Sequence, residues 1–142
     1  MSDDPARALT GFCEAWARRD KAMALTFAAD GIAYNMTVPE ETLPFGGLTV
    51  GRPAMSDRLQ SLLDQFDTVS FDFALTVADR EMARGQATFC FRHKVTGVEI
   101  DGVMRLIAWV RGGQMVSFDE FHDVDRVRAF MRLVSYAATV DS

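Results

Sequence analysis

The side chains best able to do chemistry sit near the end of the chain. Glu120 and His122 are two residues apart, and Arg105 lies upstream across a diglycine step, Gly112-Gly113. A carboxylate, an imidazole and a guanidinium gathered under an apolar wall can move a proton or hold the polar handle of a ligand. Burial of a carboxyl favours its protonated form, and a guanidinium beside it favours the ionised one. The same trio therefore serves as an acid/base centre, a ligand clamp, or an ion pair kept for architecture. Little else in the sequence competes with it. The histidines are His93 and His122, and the cysteines Cys13 and Cys90 lie far apart with no zinc spacing and no C-x-x-C pair. We expect no metal and no cofactor.

These groups must be positioned by strands. Four strand-like runs occupy the second half of the chain: Val69 to Val77, Met82 to Lys94, Val98 to Arg111 and Met115 to His122. If Gly112-Gly113 makes a two-residue hairpin, a regular ladder sets Arg105 opposite Glu120 and Val103 opposite His122. Ile107 then faces Phe118, and Trp109 faces Val116. Continuing through the turn at Thr96-Gly97 adds Thr88, Cys90 and Arg92 to that side. The other side would carry Phe89, Phe91, His93, Met104, Leu106 and Phe121.

The first half of the chain reads as helices and a short strand. Asp4 and Pro5 open a helix whose apolar stripe is Leu9, Phe12, Cys13 and Trp16. A short helix from Lys21 to Phe27 ends at Asp30-Gly31, and Ile32 to Met36 is strand-like. Thr37 to Pro53 is loop-like, with three of the four prolines, yet it is unusually apolar at Leu43, Phe45, Leu48 and Val50. Pro53 opens a third helix bearing Met55, Leu59, Leu62, Leu63 and Phe66. A last helix carries Val124, Val127, Phe130, Met131 and Val134. Helices first and an antiparallel meander after them is an α+β pattern, and we expect one domain over residues 1–142.

Composition narrows the function classes. With 49% hydrophobic residues, 11 Phe and 8 Met, the 142-residue chain can build a core and still line a cavity. A net charge of −5 with mixed signs argues against a nucleic-acid partner. No apolar run is long enough for a membrane span, and no signal peptide is visible. Two separate cysteines fit a reducing, cytoplasmic setting.

Phe12-Cys13-Glu14-Ala15-Trp16-Ala17-Arg18-Arg19-Asp20, followed by Leu25-Thr26-Phe27-Ala28-Ala29-Asp30, resembles the opening of SnoaL-like domains of the nuclear-transport-factor-2-like (NTF2-like) superfamily. Val50-Gly51-Arg52-Pro53-Ala54 and the ending from Val110 through Gly112-Gly113 to Phe118-Asp119-Glu120-Phe121-His122-Asp123 are similar too. The resemblance covers nearly the whole chain. It implies a cone: a bent antiparallel sheet wrapped on N-terminal helices around one deep pocket, often in a dimer. Ketosteroid isomerases of this superfamily use a tyrosine and two acidic residues at positions matching Phe12, Arg105 and Asn35, none of which can do that work. Limonene-epoxide hydrolases use groups at positions matching Thr88, Cys90 and Glu120, of which only Glu120 is a carboxylate. Polyketide cyclases use an acid on the last strand, near Glu120.

The reading that follows is a small-molecule pocket protein. Its candidate catalytic groups are Glu120, His122 and Arg105. Its candidate wall is Phe12, Trp16, Tyr34, Asn35, Met55, Leu59, Thr88, Cys90, Val103, Ile107, Trp109 and Phe118. The chemistry would be a cofactor-free isomerisation, cyclisation, dehydration or hydrolysis of a small apolar or amphipathic molecule. A non-catalytic binding module and a dimeric interaction domain with a closed cavity are the alternatives. A homodimer is expected through the face with Phe89, Phe91, Met104, Leu106 and Phe121.

Overall fold

A computed structural model describes residues 5–38 and 46–140. The Asp4 cap and the apolar loop positions Leu43 and Phe45 lie outside the described residues. The order is α1 (Pro5–Ala17), α2 (Lys21–Leu25), β1 (Ala28–Met36), β2 (Gly47–Val50), α3 (Arg52–Gln65), β3 (Phe66–Ala78), β4 (Met82–His93), β5 (Glu99–Arg111), β6 (Gln114–Phe121) and α4 (Val124–Val140). The strands form a six-stranded sheet in the order β2-β1-β6-β5-β4-β3. It is curved and unclosed, as an α+β cone requires.

The expected meander is present as β3 to β6. Several boundaries differ from the sequence reading, and β2 with the first residues of α3 lies inside the stretch read as a loop, because Gly47–Val50 pairs with the end of β1. Asp30-Gly31 lies inside β1 instead of ending α2, because β1 pairs with β6 from Ala28 onward in a parallel ladder. Phe66 starts β3 instead of closing α3, because its extended backbone turns the chain straight into the sheet.

The inner face of the sheet packs on α1 and α3. Phe12 of α1 meets Phe118 of β6 edge-on at 5.0 Å between ring centroids. Met55 and Leu59 of α3 are fully buried in the same cluster as Ile32 and Tyr34 of β1. α4 closes over the same side: Val127 and Phe130 are buried, and Phe130 lies 6.0 Å from the Phe66 ring. Among the described residues no helix is long and apolar enough to cross a membrane.

The register of the last hairpin overturns the face assignment. The Gly112-Gly113 turn pairs Arg111 with Gln114 and Val110 with Met115, as a two-residue loop should. Val116 is then an extra residue, and pairing resumes at Trp109 with Ser117. A bulge of one residue turns every later side chain to the opposite side. Glu120 therefore pairs with Leu106, and Arg105 pairs with Phe121. Phe118 and Glu120 join Leu106, Met104 and Phe89 on the buried side. Arg105, Val103, Trp109 and Thr88 are exposed on the outer side, with Cys90 and Ile107 half-buried there.

Two expectations fall with that register. Arg105 does not face Glu120. Phe89, Phe91, Met104 and Leu106 do not form an outer face; they line the interior, and only Phe121 of that group is exposed, from the other side of the sheet.

Candidate functional site

The cup formed by the inner sheet face, α1, α3 and α4 encloses a cavity of about 90 Å³. That is room for several waters or a small organic molecule. Its walls come mainly from Phe, Leu, Met and Val side chains, among them Phe12, Phe71, Phe89, Phe91, Phe118 and Leu106. The polar side chains on it are few: Arg19, Thr68, Glu120 and His122, with the Cys13 thiol. Convergent polar groups in an apolar hollow are the usual make-up of a ligand site.

Glu120 anchors the polar end. Only 8% of the residue is exposed, and it is the buried charged residue of the described chain. Tyr34 Oη donates to Glu120 Oε1 at 2.7 Å, and His122 Nε2 lies 3.2 Å from Oε2. The main chain here is fixed from β1's end. Thr37 N and Thr37 Oγ1 both donate to the Glu120 carbonyl oxygen, at 2.9 and 2.7 Å, and Thr37 Oγ1 accepts from His122 N at 3.4 Å. Each carboxylate oxygen keeps an unused lone pair. With Nε2 protonated, the His122 ring donates to the carboxylate and leaves Nδ1 as a bare acceptor. That ring also meets Phe89 edge-on at 6.2 Å.

Tyr34 is held as tightly as the group it serves. Its ring stacks on Phe118 at 5.5 Å, and the Arg58 guanidinium lies 5.7 Å from its centroid. Burial first, and then the Glu120 charge, push the Tyr34 phenol well above the ordinary tyrosine range. It therefore stays a proton donor to Glu120. Burial, with Glu120 and Glu14 adding to it, also pushes the Cys13 thiol far up, so this cysteine is a small apolar wall residue.

Of the residues singled out from sequence, Phe12, Trp16, Phe118, Glu120 and His122 meet at the cavity. Tyr34 touches Glu120 from behind the wall. Met55 and Leu59 are core beneath α3. Asn35 lies on the outer side, where it hydrogen-bonds Asp119 and holds down a carboxyl that burial pushes up. Arg105, Thr88, Cys90, Val103, Ile107 and Trp109 are outside the cup for the reason given by the Val116 bulge. Sequence reasoning missed Arg19 and Thr68. Among the described residues no group of three or more His, Cys, Asp or Glu is placed to share a metal ion.

The fold is that of NTF2-like proteins, including SnoaL-like polyketide cyclases and ketosteroid-isomerase-like proteins. A proposed isomerase from Rhodopseudomonas palustris superposes with a TM-score of 0.76 at 16% identity, over 89% of this chain and 94% of that one. An NTF2-like protein from Burkholderia xenovorans gives 0.75 at 20% identity, over 88% and 93%. A proposed polyketide cyclase from Xanthomonas campestris pv. campestris gives 0.72 at 19% identity, over 87% and 98%. No family model matches the sequence, and no curated protein matches it significantly.

Proposed function

We propose that this protein is a cofactor-free acid–base enzyme acting on a small, largely apolar molecule. One observation carries the reading: Tyr34, Glu120 and His122 form a hydrogen-bonded row whose last two members open onto an apolar cavity. Glu120 accepts a proton from a carbon next to a carbonyl, the C–H electron pair passes into the enolate, and the proton is returned to a second carbon or to oxygen. Tyr34 holds one carboxylate oxygen, and His122 steadies the other and exchanges a proton with it. Such transfer underlies isomerisation and cyclisation, and similar proteins proposed as an isomerase and a polyketide cyclase agree with it.

The test is deuterium uptake from D₂O, followed by NMR, over a panel of aryl and cyclic ketones. The wild type should exchange an α-hydrogen of at least one member, and Glu120→Gln should slow that exchange on the order of 100-fold or more. Equal exchange by the two proteins would remove the proposal.

The second-copy interaction expected from sequence moves to the outer sheet face. There Val103, Trp109 and Phe121 are exposed by 50%, 44% and 42%. We propose a homodimer across this patch. Light scattering should give twice the chain mass for the wild type and the single mass for Trp109→Glu; a monomeric wild type rejects it. A cytoplasmic location goes with the same reading, supported by the two free cysteines, Cys13 and Cys90.

A further inference from the structure

The cavity has a second polar pole, which the acid–base reading does not use. Arg19 follows α1 with φ at 61°, a left-handed backbone and the positive φ of a non-glycine residue among the described residues. Glycine suits that conformation better than arginine does. The side chain is therefore placed there against the backbone's preference, and its contacts show where it goes. Nη1 donates to the Phe66 carbonyl oxygen at 2.9 Å and to Thr68 Oγ1 at 3.3 Å. Nη2 donates to the Leu63 carbonyl oxygen at 2.8 Å. Leu63, Phe66 and Thr68 all line the cavity, as does Arg19 itself. The guanidinium is thus fixed at the wall where α3 passes into β3.

Its partners are neutral oxygens. Among the described residues no carboxylate pairs with Arg19, although ion pairs hold Arg52, Arg92 and Arg126. A guanidinium has five N–H donors, and three hydrogen bonds use three of them. Nε–H and one hydrogen on Nη2 are left. A rigid cation with two spare donors on an apolar wall matches the two oxygens of a carboxylate.

We infer that the pocket takes an apolar carboxylic acid, with its carboxylate on Arg19 and its body running toward Glu120. Thr68 on β3 and Glu120 on β6 are separated by β4 and β5. Three strand spacings amount to roughly 14 Å along the sheet, less across the hollow of the cup. An anionic head at one pole therefore stays clear of the Glu120 carboxylate at the other. This deepens the acid–base reading by naming a substrate class, and it shares with that reading the cavity but not the catalytic step.

The experiment is calorimetric titration with a series of aryl- and alkyl-acetates, each matched with its neutral amide, phenylacetate and phenylacetamide among them. The wild type should bind carboxylates at least tenfold more tightly than their amides. Arg19→Met should lose that preference while keeping amide affinity within about twofold, and Arg19→Lys should keep part of it. Amide binding reports that the cup is intact, so a merely structural loss would weaken both ligands together. Glu120→Gln should lose proton exchange and keep the carboxylate preference, which separates failure of the catalytic reading from failure of this one. No preference in the wild type, equal weakening of both ligand types in Arg19→Met, or no binding by any member of the series would overturn the inference.

Discussion

Tyr34 Oη lies 2.7 Å from Glu120 Oε1, and the tyrosine is wholly buried. The two residues are neighbours only because β1 runs parallel beside β6, with Tyr34 in register with Phe118 and Met36 with Glu120. The bond closes the buried Glu120 carboxyl against a donor that keeps its proton.

Replacing Tyr34 by Phe removes a donor to a buried carboxylate and little volume. Stability at neutral pH should drop by about 2 kcal/mol, read from urea denaturation, as for other hydrogen bonds to charged groups. The pH dependence has a definite sign. In the unfolded chain a tyrosine releases its proton near pH 10, whereas in the fold Tyr34 holds it well above that. Tyr34's contribution is therefore fully present below about pH 10 and is lost as the pH climbs toward the folded value. Tyr34→Phe should show a shallower alkaline decline than the wild type. Part of the slope that remains belongs to the thiols of Cys13 and Cys90, both raised, first by burial, in the same direction.

The two cysteines should react at very different rates. Burial pushes both thiols up, that of Cys90 with help from Glu99, so access separates them: Cys13 is buried, while Cys90 sits half-buried on the outer sheet face, its Sγ 3.7 Å from Glu99 Oε1. The thiolate is the reactive form, and access is needed as well. Titration of the native protein at pH 8 with a thiol reagent should release one equivalent from Cys90, and the second only on denaturation. Rapid modification of two thiols in the native state would show that α1 does not shield Cys13 as described.

Gly85 on β4 tests the packing of the sheet's far side. A Cβ there would strike the Phe73 ring and come within 2.6 Å of the Ala74 carbonyl oxygen. The ring can turn, but the backbone oxygen cannot, so Gly85→Ala should cost about 1–3 kcal/mol. Gly31 in β1 has nothing within 4 Å of the same built atom. Gly31→Ala should be neutral within about 0.5 kcal/mol, and thermal denaturation of the two variants side by side checks the contrast.

Much of this arrangement was legible in the sequence, and the part that was not has one local cause. Apolar spacing located α1, α3 and α4, and the alternation at Phe71, Phe73 and Leu75 marked β3. Glycine pairs and turn residues placed the meander. Phe12, Trp16, Phe118, Glu120 and His122 line the cavity, although the ladder that grouped the last three gave them the wrong neighbours on β5. Arg105, Thr88, Val103 and Trp109 were put inside because a regular ladder was carried back from Gly112-Gly113. Nothing in Met115-Val116-Ser117 announces an extra residue, since a bulge depends on how the strand bends against its neighbours. Arg19 was missed for a related reason. Its role follows from a left-handed backbone and from carbonyls about 45 positions away in the chain, and neither is written in its own neighbourhood.

That cause can be tested by two single-residue deletions in β6. Deleting Val116 removes the extra residue and leaves the later pairs as they are, Ser117 opposite Trp109, Phe118 opposite Ala108 and Glu120 opposite Leu106. Phe118 and Glu120 keep their face, so this variant should lose no more than about 1–2 kcal/mol and bind the same ligands. Deleting Asp119 instead removes a paired residue beyond the bulge, and the chain then has two choices. It can keep the pairs up to Phe118, which puts Glu120 opposite Ile107 on the outer side and breaks the bond from Tyr34. Or it can absorb the bulge, which turns Phe118 away from Phe12 and Tyr34. A loss of at least about 3 kcal/mol is expected, as for truncation of a buried aromatic, and urea denaturation reads both variants. Equal losses in the two would mean that the bulge does not set the face on which Glu120 lies.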